Sequence, residues 1–262
     1  MSKICRFTRK VLTLAKSAVG GQGESAVVSL HCLRIYLEKS YREALDLLSE
    51  MPQILGEIGL EKADLPDHST LVKAFDRIKM AVWRVLLRLS AQLHEPSGHA
   101  AMDATFFDRE NASKHYCRRT NYRVQTLKTT ALVDTASQAV LDVHCTTKKR
   151  HDTQIGWQLA RRNSGELHSL AADKGYDWQQ LRDKLREKGV RPLIKHREFR
   201  PIDHAHNARI DGTLYGQRAL SETVFSVIKR TLGDAVRARS WYREFREIVL
   251  MCAVYDIKRA VN

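Results

Sequence analysis

Residues 99–107 read HAAMDATFF. Before them stands HEPSG, residues 94–98, a polar turn with proline and glycine that marks a natural boundary. The nine residues suit a β-strand. Their alternation puts Asp103 and Thr105 on one face and Met102, Ala104 and Phe106 on the other. An acid in the middle of a strand needs a reason, and partners elsewhere in the chain could supply one.

Downstream, YRVQTLKTTALVD and QAVLDVHC read as strands joined by a polar turn at 135–138, a hairpin. A helix is expected from about Thr153 to Arg162, capped by Asp152. LHSLAAD reads as a strand ending in Asp173, after which Lys174-Gly175 turns the chain away. YDWQQLRDKLREKGV reads as a helix with Trp178, Leu181 and Leu185 on one stripe, Asp177 as its cap and Gly189 at its end. VRPLIK is another short strand, and HREFRPIDHAHNARIDGT a polar loop. A last helix is expected from about Trp241 to Val261. Three strands, helix, strand, helix, strand, helix and helix make an α/β fold with a mixed sheet and a right-handed crossover.

Upstream, the texture is helical. Residues 1–24 are basic, end in the glycine cluster GGQG, and are read as an arm able to touch DNA. Residues 25–97 form a small all-helical domain. Ser40 suits a helix cap, and one long helix is expected over 69–94 with a stripe of Leu71, Phe75, Ile78, Val82 and Leu86. Two readings stand for this domain: a helix-turn-helix-like DNA reader, or a bundle that braces the sheet domain.

The chain of 262 residues carries a net charge of +14 with 43% apolar residues. Residues 101–262 hold 30 of the 44 Lys and Arg but 19 of the 30 acids. That imbalance argues for a polyanionic partner, most simply double-stranded DNA. Five cysteines without a CxxC pair suggest neither zinc nor a disulfide framework. The longest apolar run, IVLMCAVY at 248–255, is far short of the ~20 residues a membrane span needs. A cytoplasmic, nucleoid-associated protein is expected.

YGQRALSETVFSVIKR, residues 215–230, poses the sharper problem. On a continuous helix Tyr215, Arg218, Glu222 and Lys229 share one side, while Leu220, Val224, Val227 and Ile228 share the other. An acid flanked by two bases is often a surface ion-pair ladder. Asp103 and Asp173, however, offer two more carboxylates at strand positions where sites gather. Carboxylates brought together repel unless hard cations bind between them.

AMDAT, LAADKGYD and YGQRALSETVFSVIK resemble the catalytic motifs of DDE-type transposases from small prokaryotic insertion sequences. The signature of that family is Tyr, two residues, Arg, three residues, Glu, six residues, Lys, and Tyr215, Arg218, Glu222 and Lys229 fit it at every spacing. The resemblance covers about 98–262. It implies a ribonuclease H-like catalytic domain with a five-stranded sheet in the order 3-2-1-4-5. It implies Asp103, Asp173 and Glu222 as catalytic ligands of two Mg2+ or Mn2+ ions, and Tyr215, Arg218 and Lys229 as DNA-binding groups. The partners would be DNA element ends and target, bound by a homodimer or higher assembly.

Around these, Asp108 is read as a loop residue, and His204 and His206 as exposed loop histidines. Thr105 is a strand residue whose hydroxyl could steady Asp103. Trp178 is read as core in preference to a base-stacking ring. Lys148, Lys149 and Arg150 form a basic turn. Two rival functions share the residues: a structure-selective nuclease of the same fold, and a non-catalytic DNA-binding derivative.

Overall fold

The computed structural model describes residues 2–109, 126–147 and 151–261. The basic turn at 148–150 and the first residues of the expected hairpin lie outside them. The described chain divides into two compact units. One comprises Met1–Leu93, Arg230–Gly233 and Ala238–Asn262; the other comprises His94–Lys229 and Asp234–Arg237.

The first unit is helical. Its elements are α1 (Lys3–Val19), α2 (Gln22–Tyr36), α3 (Tyr41–Ser49), α4 (Pro52–Glu57), α5 (His68–Arg77), α6 (Met80–Ala91) and a C-terminal helix, Trp241–Ala260. The segment read as a basic arm is the helix α1. Ser2 caps it, Gly20 at φ 76° ends it, and Phe7, Val11, Leu14 and Ala15 are buried along it. Those apolar residues recur at helical steps, and the basic residues between them form the wet face. The arrangement Ser40-to-Glu43 at the start of α3 is a reciprocal cap, as Ser40 suggested.

The long helix expected over 69–94 is broken. Ile78 and Lys79 are extended, so α5 ends at Arg77 and α6 starts at Met80. The buried stripe changes phase at the break, from Leu71 and Phe75 to Trp83, Leu86 and Leu87. The carbonyls of Phe75 and Asp76 at the end of α5 accept hydrogen bonds from Arg246 Nη1, each at 2.9 Å. One guanidinium nitrogen thus caps a helix end that lacks its next turn.

The C-terminal helix, expected to close the sheet domain, groups with the N-terminal helices instead. It is buried without a break from Glu247 to Ile257. A helix apolar on nearly every side is the centre of a bundle rather than a cover for one sheet face. It packs against α6, α2 and α1.

The second unit carries the sheet: β1 (His99–Arg109), β2 (Leu127–Asp134), β3 (Val140–Thr146), β4 (Ser169–Ala172), β5 (Arg191–Ile194) and β6 (Ala235–Val236). Its order is β3-β2-β1-β4-β5, with β1–β2 and β2–β3 antiparallel and β1–β4 and β4–β5 parallel. The two-residue β6 pairs with the far end of β1 and is a sixth strand that the sequence did not reveal. Asp108 is therefore a strand residue, its N–H donated to the Asp234 carbonyl, and not a loop residue.

Helices α7 (Asp152–Asn163) and α8 (Gln179–Glu187) pack on the face that carries Met102. The core there contains Met102, Leu132, Ile155, Leu159, Leu170, Tyr176, Leu181 and Leu185. Trp178 is half-buried against it, in keeping with its stripe. Asp152 is the first residue of α7 rather than its cap, and pairs with Lys128 on β2. Gly156 lets α7 close in: a Cβ there would stand 2.9 Å from Met102 Cε and 3.0 Å from Tyr176 Cδ1. No helix among the described residues is long and apolar enough to cross a membrane.

Three short helices follow β5: α9 (Pro201–Ala208), α10 (Gly212–Gly216) and α11 (Ala219–Leu232), whose last turn belongs to the first unit. The polar loop expected at 196–213 is therefore partly helical. Pro201 stands at the first helical position, where its missing N–H costs nothing. The single helix expected from Tyr215 to Arg230 is two, parted by a turn at Gln217-Arg218. Gly216, which has no Cβ and poor helix propensity, ends α10. The Trp241–Ala260 helix is α12.

Candidate active site

The register of the sheet sets two acids side by side. β1 and β4 run parallel with Met102 opposite Ala172, and the next residue on each chain is Asp103 and Asp173. Neighbouring strands lie about 4.8 Å apart. Met102 and Ala172 both enter the core under α7 and α8, so pleat alternation sends both acids to the opposite face.

Asp173 Oδ1 accepts a 2.8 Å hydrogen bond from Gly175 N and caps a single 3-10 turn, Lys174–Tyr176. A Cβ on Gly175 would sit 2.8 Å from that same oxygen, so only glycine admits this closure without a shift. Glu222 lies exposed in the first turn of α11, where the positive end of the helix favours an anion. Arg218 Nη1 is 3.3 Å from its Oε1.

Asp103 is half-buried, and burial pushes its carboxyl up to about 6. The charges of Asp173 and Glu222 add to the rise, and Arg218 opposes it. The three acids and Arg218 thus share one electrostatic neighbourhood. Among the described residues no group of three or more His, Cys, Asp or Glu is drawn together at metal-holding distances. Glu222 is turned to Arg218 and Asp173 to its own turn. The donor chemistry nevertheless suits a hard divalent cation: carboxylate oxygens only, one of them disfavoured as an anion by burial first and by two others after it.

Cations surround the acids. Lys229 Nζ donates to Thr105 Oγ1 and to the Phe106 carbonyl, both at 2.8 Å. Thr105 therefore receives Lys229 and has no bond to Asp103 in this arrangement. Arg218 lies 5.6 Å from the centre of the Tyr215 ring, and Lys195 Nζ lies 4.6 Å from it. Tyr215, Arg218 and Glu222 stay neighbours although the helix is broken between them.

Lys195 stands outside the Tyr-Arg-Glu-Lys signature. Its signal was position: it follows the last residue of β5, at the same carboxyl edge as Asp173. Asp177 does not cap α8. Its carboxylate takes Arg182 Nη2 at 2.6 Å and Arg197 N at 2.7 Å, which ties the segment after β5 to the Asp173 turn. His206 is not an exposed loop residue: its ring stacks on His196 with centroids 3.8 Å apart. His204 is exposed, as expected.

The family model described as Transposase DDE domain matches residues 94–257. No curated protein matches the chain. Among solved structures, the cryo-EM structure of a piggyBac transposase synaptic complex with hairpin DNA is similar, with a TM-score of 0.52 at 10% identity. The likeness covers 97% of this chain and 70% of that one. At that identity it speaks for fold: the order β3-β2-β1-β4-β5 with flanking helices is ribonuclease H-like.

Proposed function

The chain belongs to the DDE transposase domain family, and from that membership we propose that it cuts DNA at the ends of a small prokaryotic mobile element and joins those ends to target DNA. The observation that supports this reading is the strand register that sets Asp103 beside Asp173, with the Asp103 carboxyl raised by burial first and by the charges of Asp173 and Glu222 after it.

Asp103, Asp173 and Glu222 would hold two Mg2+ or Mn2+ ions. Such a pair, when bound, lowers the pKa of an attacking hydroxyl and stabilises the departing oxygen of an in-line phosphoryl displacement. The chain's own part is to bind and orient the DNA strand. Lys229 spends two N–H groups on Thr105 and Phe106 and keeps a third for a phosphate oxygen. Arg218 offers a fork and Lys195 a point charge to neighbouring phosphates. Tyr215, flanked by both, packs along the sugar-phosphate backbone. The protein works as a dimer or higher assembly on DNA, in the cytoplasm at the nucleoid.

The test is end cleavage and strand transfer by the purified chain on duplexes that carry the sequences flanking its reading frame, with Mg2+. Asp103→Ala, Asp173→Ala and Glu222→Ala should each reduce both reactions to background while DNA binding persists. Full activity in any one variant would remove that residue from the site.

A further inference from the structure

The segment that joins β5 to α10 presents the two most exposed large apolar side chains among the described residues. Phe199 is 83% exposed and Ile202 68% exposed. Their backbone is clamped. Asp203 Oδ2 accepts the N–H groups of Phe199 and Arg200, at 3.1 and 2.8 Å, and Oδ1 lies 2.9 Å from His196 Nδ1. Asn207 holds both the N–H and the carbonyl of His196. Arg197 N is fixed by Asp177, and Lys174 Nζ pairs with Glu198 at 2.8 Å. Lys174 is the residue after Asp173, so the tip is tethered to the turn that carries a proposed catalytic acid.

Such a tip keeps two apolar groups in water on a rigid mount, which stabilises nothing in the free protein. The charge around them selects a partner. Of the acids of the segment, Glu198 and Asp203 are already tied to Lys174 and His196, and Asp211 caps α10 through Leu214 N. Arg197, Arg200 and Arg209 are exposed along the same stretch. A second copy of a chain with net charge +14 would be repelled by this surface, whereas duplex DNA would be drawn to it. Apolar side chains flanked by arginines are the means by which proteins wedge open a base step.

We infer that Phe199, with Ile202 behind it, is a DNA wedge that enters and unstacks a base step next to the phosphate to be cut. The inference rests on the transposase reading and adds a contact to it. Arg197 and Arg200 hold the flanking phosphates, and the clamp at Asp203 and Asn207 keeps the wedge from yielding as the bases part.

The experiment uses the full chain and two short duplexes, one fully paired and one with a single mismatched step that carries 2-aminopurine. Wild type should bind the mismatched duplex about tenfold more tightly, because its step is already partly unstacked. It should also change the 2-aminopurine fluorescence. Phe199→Ala and the Phe199→Ala/Ile202→Ala pair should lose the preference and the fluorescence change, while Phe199→Trp keeps both. Circular dichroism should be unaltered, since both side chains face solvent. An unchanged preference in the alanine variants, no preference in wild type, or a variant whose only change is loss of self-association would each overturn the wedge. Cleavage measured alongside separates the two ideas. If wild type cuts normally and the alanine variants behave like it, the wedge alone fails. If wild type does not cut yet loses its preference on Phe199→Ala, the wedge stands and the catalytic reading fails.

Discussion

Lys229 of α11 reaches Thr105 of β1, Nζ to Oγ1 at 2.8 Å, across 124 positions of sequence. Glu222 rides on the same helix as Lys229, and Asp103 lies two residues from Thr105 on the same strand. The bond therefore ties the helix that carries Glu222 to the strand that carries Asp103. Thr105→Val keeps the shape and removes the acceptor. Stability should fall by about 1.5–3 kcal/mol, the scale of a hydrogen bond to a charged group, and cleavage should fall with it. Urea unfolding and a cleavage assay check both. If stability held and only the salt dependence of DNA binding changed, Lys229 would be a phosphate contact and no strut.

Gly156 decides how closely α7 approaches β1 beside Asp103. Gly156→Val would press a branched side chain into Met102 and the Tyr176 ring. Overpacking of this kind costs about 1–3 kcal/mol. Denaturant midpoints should drop accordingly, and an unshifted midpoint would show that the helix can retreat freely.

The Arg34–Glu247 pair is buried in the helical unit, 4% and 5% exposed, with Nη2 2.7 Å from Oε1. Glu247 also accepts the N–H of Ala238 at 2.9 Å. Arg34→Met removes the cation and leaves a buried carboxylate, which should cost about 3–5 kcal/mol. Adding Glu247→Leu should return part of that loss. A double variant less stable than Arg34→Met would contradict the pairing.

His31 makes that unit sensitive to acid. It is fully buried among Tyr41, Phe75 and Trp83, and neither ring nitrogen has a hydrogen-bond partner among the described residues. Burial first, and the Arg34 charge second, lower its pKa to about 3. The unfolded chain takes up a proton near pH 6.5, while the folded chain stays neutral until about pH 3. Between those values the unfolded state binds more protons, so stability falls as pH falls, by up to about 1.4 kcal/mol per pH unit. Unfolding at pH 7 and pH 5 should show the loss in wild type and less of it in His31→Phe. Equal slopes would place the sensitivity elsewhere.

Much of this was written locally. Pleat alternation in HAAMDATFF and the acid that ends LHSLAAD were enough to expect Asp103 and Asp173 at one carboxyl edge. The strand order came with the family resemblance carried by Tyr215, Arg218, Glu222 and Lys229. A period-two or period-3.6 pattern is carried by neighbours in the chain, so it survives in the sequence. Folding added what neighbours cannot encode. The phase change at Ile78-Lys79 and the membership of α12 in the helical unit depend on partners scores of residues away, such as Arg246 for the end of α5. So does the strut from Lys229 to Thr105. Such contacts leave no periodic trace, because each is one side chain meeting one distant acceptor. They exist only once burial has brought the elements together.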